Sequence, residues 1–232
     1  MEGNRFGFLS GNHLKLLAAF TMLLDHIGVL FFPNVLLLRH IGRLAYPIFA
    51  FMIAEGCRYT KNKLRYFLMI FGLGAACQLV YYFVSGDTYL NILLTFSLSI
   101  LLIYLLQASF AEESTGKRTL WSVLFCAGFL GVYGLDQMLT IDYGFWGVMT
   151  PVFAAFPLGK GKTESKLPVL MLFVGLVLLA ADMAGNQYVS LLSVPLLLLY
   201  SGKRGKANMK YFFYIFYPVH LAVLQGIAWL VR

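Results

Sequence analysis

Residues 14–32 read LKLLAAFTMLLDHIGVLFF, an apolar stretch interrupted only by Lys15 and by the neighbours Asp25 and His26. A helix needs about 20 such residues to cross the hydrocarbon core of a bilayer. The rest of the chain is similar, with 60% apolar residues, 12% charged residues and a mean hydropathy of +0.77. This composition excludes a disordered chain, a disulfide-stapled secreted domain and an ordinary cytosolic enzyme. We therefore expect an all-α polytopic membrane protein.

The apolar segments set the expected number of helices. They fall at about 14–32, 43–57, 65–84, 89–107, 119–135, 143–158, 167–182, 188–200 and 211–230. At about 20 residues a span, they predict about nine transmembrane helices, eight to ten, and leave too few residues for a soluble domain. Residues 1–232 are expected to form a single transmembrane domain.

The basic residues predict the orientation. The net charge is +8, and with the N-terminus inside, only Arg39, Arg43 and Arg232 of the 18 lysines and arginines fall outside. The positive-inside rule thus favours a cytoplasmic N-terminus in a multi-pass protein of the bacterial inner membrane. The same rule accounts for the charge without a nucleic-acid partner. No cleavable signal peptide is expected, because no small-residue cleavage site follows the first segment.

The three cysteines, Cys57, Cys77 and Cys126, have no CxxC spacing. The sequence therefore predicts neither a disulfide framework nor a metal site.

A first group of polar residues lies at the depth of the bilayer centre. Inserting an ionisable side chain there costs about 2.5–3.5 kcal/mol of free energy, so the presence of Asp25, His26 and His220 calls for a structural or functional explanation. With Arg39 and Arg43 they are expected to form one polar cluster, in which Asp25 pairs with Arg43 and His26 acts as a base. The alternative is a structural clamp between helices, with His220 hydrogen-bonded to a backbone carbonyl.

A second group faces outward in this topology and contains Asn91, Asp142 and Tyr143. These residues, with Arg39, are candidates for binding the substrate. Asn91 and Asp142 could equally be N-caps of the helices that follow them.

A third group faces the cytosol. Its candidate residues are Arg58, Lys61, Asn62, Lys203 and Arg204. Cations at a membrane surface usually set topology and contact anionic lipid, but they also bind the phosphates of a nucleotide-like donor.

Tyr217 lies beside the polar cluster of the first group. There it either stabilises an oxyanion or packs in the core.

Five stretches carry a resemblance to a known family. They are LKLLAAFTMLLDHIG, RHIGRLAYPIFAFMIAEGCRYTKNKLRYF, LNILLTF, DYGFWGV and KYFFYIFYPVHL. They resemble the TraX family, which is linked to N-terminal acetylation of conjugative pilin and is similar to the acyltransferase-3 superfamily and to lysosomal heparan glucosaminide acetyltransferase. The resemblance implies an acyltransferase-3-like bundle in which His26 matches the usual catalytic histidine and the cytosolic cations bind CoA phosphates.

We thus expect a membrane-embedded acyltransferase that moves an acetyl or longer acyl group from cytosolic acetyl-CoA to an amine or hydroxyl. The acceptor is a protein N-terminus, a glycan or a lipid. The catalytic candidates are Asp25, His26, Arg43, Tyr217 and His220. The alternatives are a proton-coupled transporter and a non-catalytic biogenesis or scaffold protein.

Overall fold

The computed structural model describes residues 7–86, 88–156, 166–207 and 209–231. Within them lie ten α-helices and one 3₁₀ segment. The helices are α1 (Gly11–Phe31), α2 (Leu36–Gly42), α3 (Ala45–Tyr59), α4 (Lys63–Ser85), α5 (Ile92–Ala111), α6 (Thr115–Met138), α7 (Gly144–Ala154), α8 (Leu167–Met183), α9 (Ser193–Leu198) and α10 (Lys210–Val231). The 3₁₀ segment is Gly185–Leu192 and precedes α9.

The chain marks several helix ends locally. Ser10 and His13 form a capping box before α1, in which each side chain accepts from the other residue's backbone N–H. Asn62 is the N-cap of α4, and its side chain accepts from the N–H of Arg65. Gly86, with a left-handed φ of 69°, is the C-cap of the same helix. Such caps satisfy the backbone donors that a helix terminus leaves free.

The all-helical, polytopic architecture agrees with the expectation, but the individual spans differ from it. Six helical stretches are long and apolar enough to cross a membrane: α1, α2 and α3 taken together as Leu36–Tyr59, α4, α5, α6 and α10. The second expected segment, 43–57, starts too late. Helix begins at Leu36, so Arg39 lies within this crossing and not in a loop before it, and Arg43, expected to open the helix, lies in the turn between α2 and α3.

Three expected segments are shorter or less regular than a full span. Helices α7 and α8 have 11 and 17 residues. The expected segment at 188–200 is the 3₁₀ segment followed by the six-residue α9. Because a 3₁₀-helix rises about 2.0 Å per residue, these two elements together span about 25 Å, close to the thickness of the hydrocarbon core.

Two isolated backbone bridges tie loops together at the ends of the bundle. Leu9 bridges Tyr200, and Leu90 bridges Ile141. Each bridge joins two residues that the nine-segment topology places on the same face of the membrane. Which face is cytoplasmic remains a prediction.

Helices α5, α7 and α8 form the centre of the bundle. Ile100, Ile103 and Leu176 are fully buried there. The backbones of α7 and α8 approach closely, because a Cβ on Gly175 would lie 3.0 Å from Cα of Thr150. Small residues allow this approach in lipid, where van der Waals packing drives helix association. By contrast, α4 and α6 are largely exposed.

Candidate functional site

The site is built where α1, α2, α3 and α10 meet. Helix α1 packs against all three. Asp25 and His26 come from α1, Arg39 from α2 and His220 from α10. The polar groups expected near the bilayer centre therefore do come together.

Asp25 pairs with Arg39. Nη1 of Arg39 donates to Oδ2 of Asp25 at 2.9 Å. The expected pairing of Asp25 with Arg43 is wrong, because the helix starts early enough to carry Arg39 alongside α1. The other carboxylate oxygen, Oδ1, is buried and has no hydrogen-bond partner.

Gly42 makes this arrangement sterically feasible. A Cβ at that position would overlap the carboxyl group of Asp25. The absence of a side chain therefore lets α2 lie directly on the acidic residue of α1.

The two histidines are in contact. The rings of His26 and His220 have centroids 5.1 Å apart at an interplanar angle of 72°. Nδ1 of His26 lies 2.8 Å from the carbonyl oxygen of Met22, and Nδ1 of His220 lies 2.7 Å from that of Phe216. Since a carbonyl oxygen only accepts, each Nδ1 carries a proton, which leaves Nε2 of each neutral ring as an acceptor.

The expected clamp geometry for His220 is thus present, since its Nδ1–H meets a backbone carbonyl. However, Nε2 of His220 is buried with no partner. Buried polar atoms in native proteins are nearly always paired, so the clamp does not account for this nitrogen.

Arg43 joins this cluster to the second polar group. It lies within electrostatic range of both Tyr143 and Asp142, while its own Nε is buried and unpartnered. The Tyr143 ring stacks on Tyr46 with centroids 4.1 Å apart. Tyr46 in turn donates its hydroxyl to the carbonyl of Gly147 at 2.7 Å. Residues expected to form two separate sites therefore form one.

Asp142 lies in the turn before α7, where it accepts a 2.6 Å hydrogen bond from the hydroxyl of Tyr89. Burial raises the pKa of Asp142 to about 6, although the Tyr89 hydroxyl and Arg43 act in the opposite direction. Burial and the neighbouring carboxylate raise the pKa of Tyr89 above its ordinary 10, so this hydroxyl stays a donor.

The capping alternative is wrong for Asp142. The N-cap of α7 is Tyr143, and the N–H of Phe145 donates to Oδ2 of Asp136 at 3.0 Å. Asp136 therefore caps the helix. The Asp142 carboxylate instead accepts from Tyr89 and lies within electrostatic range of Arg43.

Asn91 has the geometry of its capping alternative. Its side-chain oxygen accepts from the N–H groups of Leu93 and Leu94, and its amide nitrogen donates to Gly74 and Gln78. These bonds use its donors and acceptors fully, so in this arrangement Asn91 binds α5 to α4. Substrate binding by Asn91 stays a prediction that this geometry does not favour.

Tyr217 lies beside His220, with ring centroids 6.0 Å apart, and within electrostatic range of Asp142. It therefore sits between the histidine pair and the Asp142 turn. Tyr46 and Tyr89 border the same site. Tyr46 was expected beside the polar cluster, either as a donor to an oxyanion or as a packing residue, whereas the sequence did not point to Tyr89. The only available signal for Tyr89 was its position within the TYLNILLTF stretch.

The basic candidates lie at the other end of α1. The carbonyls of Lys203 and Arg204 accept from the N–H groups of Gly11 and Asn12 at 2.8 and 3.0 Å. Nη1 of Arg58 lies 3.4 Å from Glu55, whose carboxylate also accepts from the hydroxyl of Tyr200. The two basic stretches therefore meet around Tyr200.

Lys61 and Asn62 are exposed at the same end, and Asn62 serves as the N-cap of α4. The cations that could bind a polyphosphate thus lie about 21 Å along α1 from His26, judged by the helical rise over the fourteen residues from Asn12 to His26.

Two further observations concern cavities and metals. A shallow cleft of about 490 Å³ runs along α6, lined by residues that include Glu113, Arg118 and Ser122, and it shares no residue with the polar cluster. Among the residues that the structure describes, no three His, Cys, Asp or Glu side chains are placed to hold a metal ion.

Comparison with known proteins gives a family and one relative of nearly equal length. The family model described as "TraX protein" matches residues 10–228. A "Probable fimbrial assembly protein FimC, serogroup H1" of Dichelobacter nodosus is 28% identical over 246 residues, which covers 93% of this chain and 94% of the relative. An uncharacterized protein of Rickettsia prowazekii (strain Madrid E) is 40% identical over 60 residues, 26% of this chain and 23% of that protein. No solved structure matches the chain, so the likeness to an acyltransferase-3 bundle stays a prediction.

Proposed function

The chain belongs to the TraX family, and on that premise we propose that it is a membrane-embedded acyltransferase. It moves an acetyl or longer acyl group from acetyl-CoA, on the cytoplasmic side, to an amine or hydroxyl acceptor. The observation that carries the proposal is the histidine pair. His26 and His220 touch inside a helical membrane protein, and backbone carbonyls orient both rings.

His26 is the general base in this proposal. Its Nδ1–H is held by Met22, so Nε2 is the atom that takes the proton of the attacking amine or hydroxyl. A positioned base of this kind typically contributes 10²–10⁴-fold to a rate. The proton then passes from His26 to the departing thiolate, which leaves the histidine neutral.

Two groups in the site are suited to stabilising negative charge on the acyl oxygen. Arg43 has a buried, unpartnered Nε–H, and Tyr217 has a hydroxyl beside His220. His220 in its neutral form offers Nε2 only as an acceptor, because its proton on Nδ1 is held by the carbonyl of Phe216, so it positions the reacting group and does not stabilise the oxyanion. Removing one such donor typically costs about 3–4 kcal/mol of transition-state stabilisation. Asp25, held by Arg39, is a positioning residue that orients α2 on α1.

Acetyl-CoA supplies the acyl group as a thioester. Its phosphates match the cations around Tyr200, namely Arg58 and Lys61 from one stretch and Lys203 and Arg204 from the other. Arginine and lysine side chains pair well with phosphate oxygens. The opposite end of the site, bordered by Asp142 and Tyr143, is left for the acceptor.

A second candidate function is non-catalytic assembly of a surface fibre. It is favoured by the Dichelobacter nodosus relative, whose name describes fimbrial assembly and which aligns over nearly the whole of both chains. In that case Asp25, Arg39 and the histidines clamp the bundle together. They would matter only for the amount of folded protein in the membrane.

One experiment separates the two candidates. The full chain in lipid nanodiscs is supplied with radiolabelled acetyl-CoA and a panel of a free-amine peptide, an amino sugar and a lipid amine. We expect the wild-type protein to transfer label to one of them, and His26→Ala to transfer at least 100-fold less. His40→Ala is the matched control, since His40 lies on α2 outside the histidine pair.

Equal transfer by His26→Ala and the wild-type protein would remove His26 as the base. If no acceptor is labelled, and acetyl-CoA at millimolar concentration does not shift the thermal unfolding midpoint, the acyltransferase proposal fails. The assembly role is then retained. Uptake of a solute driven by a proton gradient, without release of CoA, would instead indicate a transporter.

A further inference from the structure

The cleft on α6 brings two opposite charges together at one end of that helix. It has a volume of about 490 Å³ and is lined by Glu113, in the loop before α6, and by Arg118, near the start of the helix. Both residues are exposed, and neither forms an ion pair with any residue in the described part of the chain. Their charged atoms therefore lie more than 4.0 Å apart, and each still lacks an opposite charge.

The sequence of α6 places Arg118 at the level of the lipid headgroups. Residues 119–135, between the charges of Arg118 and Asp136, are seventeen residues without a charge. At 1.5 Å per residue this run is about 26 Å long, close to the thickness of about 30 Å of the hydrocarbon core. Because α6 is largely exposed along its length, the cleft faces lipid and its charged end lies where lipid phosphates lie.

The wall of the cleft carries no charge below these two side chains. Thr119, Ser122 and Cys126 follow one another at spacings of three and four residues, so they lie on one face of α6. The hydroxyls of Thr119 and Ser122 donate to the carbonyls of Thr115 and Arg118, both at 2.9 Å. Since those donors are already used, this part of the cleft suits an apolar chain.

The two charges select among membrane lipids. A guanidinium group pairs with a phosphate, and a carboxylate pairs with an ammonium group. A phosphatidylethanolamine headgroup carries both partners, and four covalent bonds separate its phosphorus from its nitrogen, which is about 5 Å when extended. We propose that the cleft binds this zwitterionic lipid, with its phosphate on Arg118, its ammonium group on Glu113 and an acyl chain along Ser122 and Cys126.

Other headgroups match the cleft less well. Phosphatidylglycerol has a phosphate but no cation, so it would leave Glu113 without a partner. Phosphatidylcholine has a cation without N–H groups, so it cannot form the charge-assisted hydrogen bond that the carboxylate accepts.

The charges also favour a lipid over a second copy of the chain. Two copies related by a two-fold axis along the membrane normal hold identical residues at equal depth, so each Arg118 would approach the other. A single lipid molecule pairs Arg118 and Glu113 without bringing like charges together. The proposal goes beyond the acyltransferase reaction, because the cleft shares no residue with the polar cluster.

The test measures lipid binding to the detergent-solubilised full chain by native mass spectrometry. The probes are phosphatidylethanolamine, phosphatidylglycerol and phosphatidylcholine with identical oleoyl chains. We expect the first lipid to bind about two- to fivefold more tightly than either of the others, which is the size of effect that an exposed ion pair supports.

Two pairs of variants, matched in charge, locate the effect. Arg118→Gln should weaken the binding of all three lipids, whereas Lys117→Gln removes a neighbouring charge outside the cleft and should change binding little. Glu113→Gln should abolish the preference for phosphatidylethanolamine over phosphatidylglycerol. Glu112→Gln should keep that preference, since the Glu112 carboxylate lies outside the cleft and accepts from the N–H of Ser114.

A further variant tests the cleft itself. Ser122→Leu fills the space below the charges and keeps both of them, so we expect it to weaken the binding of all three lipids. Ser122 is exposed, so its ligand-free unfolding midpoint should stay close to that of the wild-type protein.

Three results would overturn the proposal. The first is equal affinity of the wild-type protein for the three lipids. The second is an equal loss of binding in Arg118→Gln and Lys117→Gln, which would mean that surface charge alone attracts lipid. The third is a lipid-free protein of doubled mass that Glu113→Gln returns to the single mass, which would assign the cleft to a second copy. His26→Ala should bind the lipids as the wild-type protein does, so a failure of the acyltransferase proposal leaves this one standing.

Discussion

Arg39 and Asp25 form an ion pair that joins α2 to α1, with Nη1 of the arginine 2.9 Å from Oδ2 of the carboxylate. The two side chains remain 29% and 20% exposed. The pair is therefore neither a freely solvated surface contact nor a fully buried one. The pair holds α2 against α1 at the residue next to His26.

The contribution of this pair can be measured by a double-mutant cycle. We expect Asp25→Asn and Arg39→Gln each to lower the free energy of unfolding, because each leaves one charge without its partner. The double variant should recover part of the loss, with a coupling energy of about 1 kcal/mol. Unfolding in mixed detergent micelles measures all four proteins. Strict additivity of the two single effects would mean that the pair is not formed.

Gly42 should tolerate no side chain. We expect Gly42→Ala to destabilise the protein by about 1–3 kcal/mol, because its Cβ would overlap the Asp25 carboxyl. Gly72→Ala in α4 is the matched control, since a Cβ there meets nothing within 4 Å. That variant should be neutral or slightly stabilised, as alanine favours a helix. Equal unfolding midpoints for the two variants would contradict the close packing of α2 on α1.

Asp142 should make stability depend on pH. Its pKa is raised by burial from 3.8 to about 6, so between those values the folded protein holds a proton that the unfolded chain has lost. Stability should therefore fall as the pH rises from about 4 to about 6, by at most about 1.4 kcal/mol per pH unit, and then level off.

Unfolding midpoints measured from pH 4 to pH 8 check this dependence. In Asp142→Asn the fall should disappear. In Tyr89→Phe, which loses the 2.6 Å hydrogen bond to the carboxylate, it should extend to higher pH. A wild-type profile that matches that of Asp142→Asn would show that Asp142 does not titrate in this range.

Asp136 should act as the cap of α7. We expect Asp136→Ala to lower the free energy of unfolding by about 0.5–2 kcal/mol, because the N–H of Phe145 loses its acceptor. Asp182→Ala is the control at an exposed position and should change stability by less than about 0.5 kcal/mol. Thermal unfolding compares the two, and equal stabilities would remove Asp136 as the cap.

Several features of the site followed from the sequence because they depend on one helix at a time. His26 and His220 were placed at similar depth by counting residues from the nearest cation, and their rings do touch. The partner of Asp25 could not be found that way. A shift of seven residues in the start of α2, from 43 to 36, brings Arg39 rather than Arg43 to the carboxylate.

The amino-acid sequence by itself determined that this chain folds as apolar helices, because lipid offers no hydrogen bonds and each spanning segment must satisfy its own backbone. Only the tertiary structure decided that Asp142 and Tyr143 meet Arg43 and that Asp136 caps α7. Lipid is as apolar as a leucine side chain, so hydropathy does not distinguish a lipid-facing surface from a helix contact. Which helix faces contact one another depends on local shape, such as the absence of a side chain at Gly42, and on which polar groups can form hydrogen bonds and ion pairs across the contact.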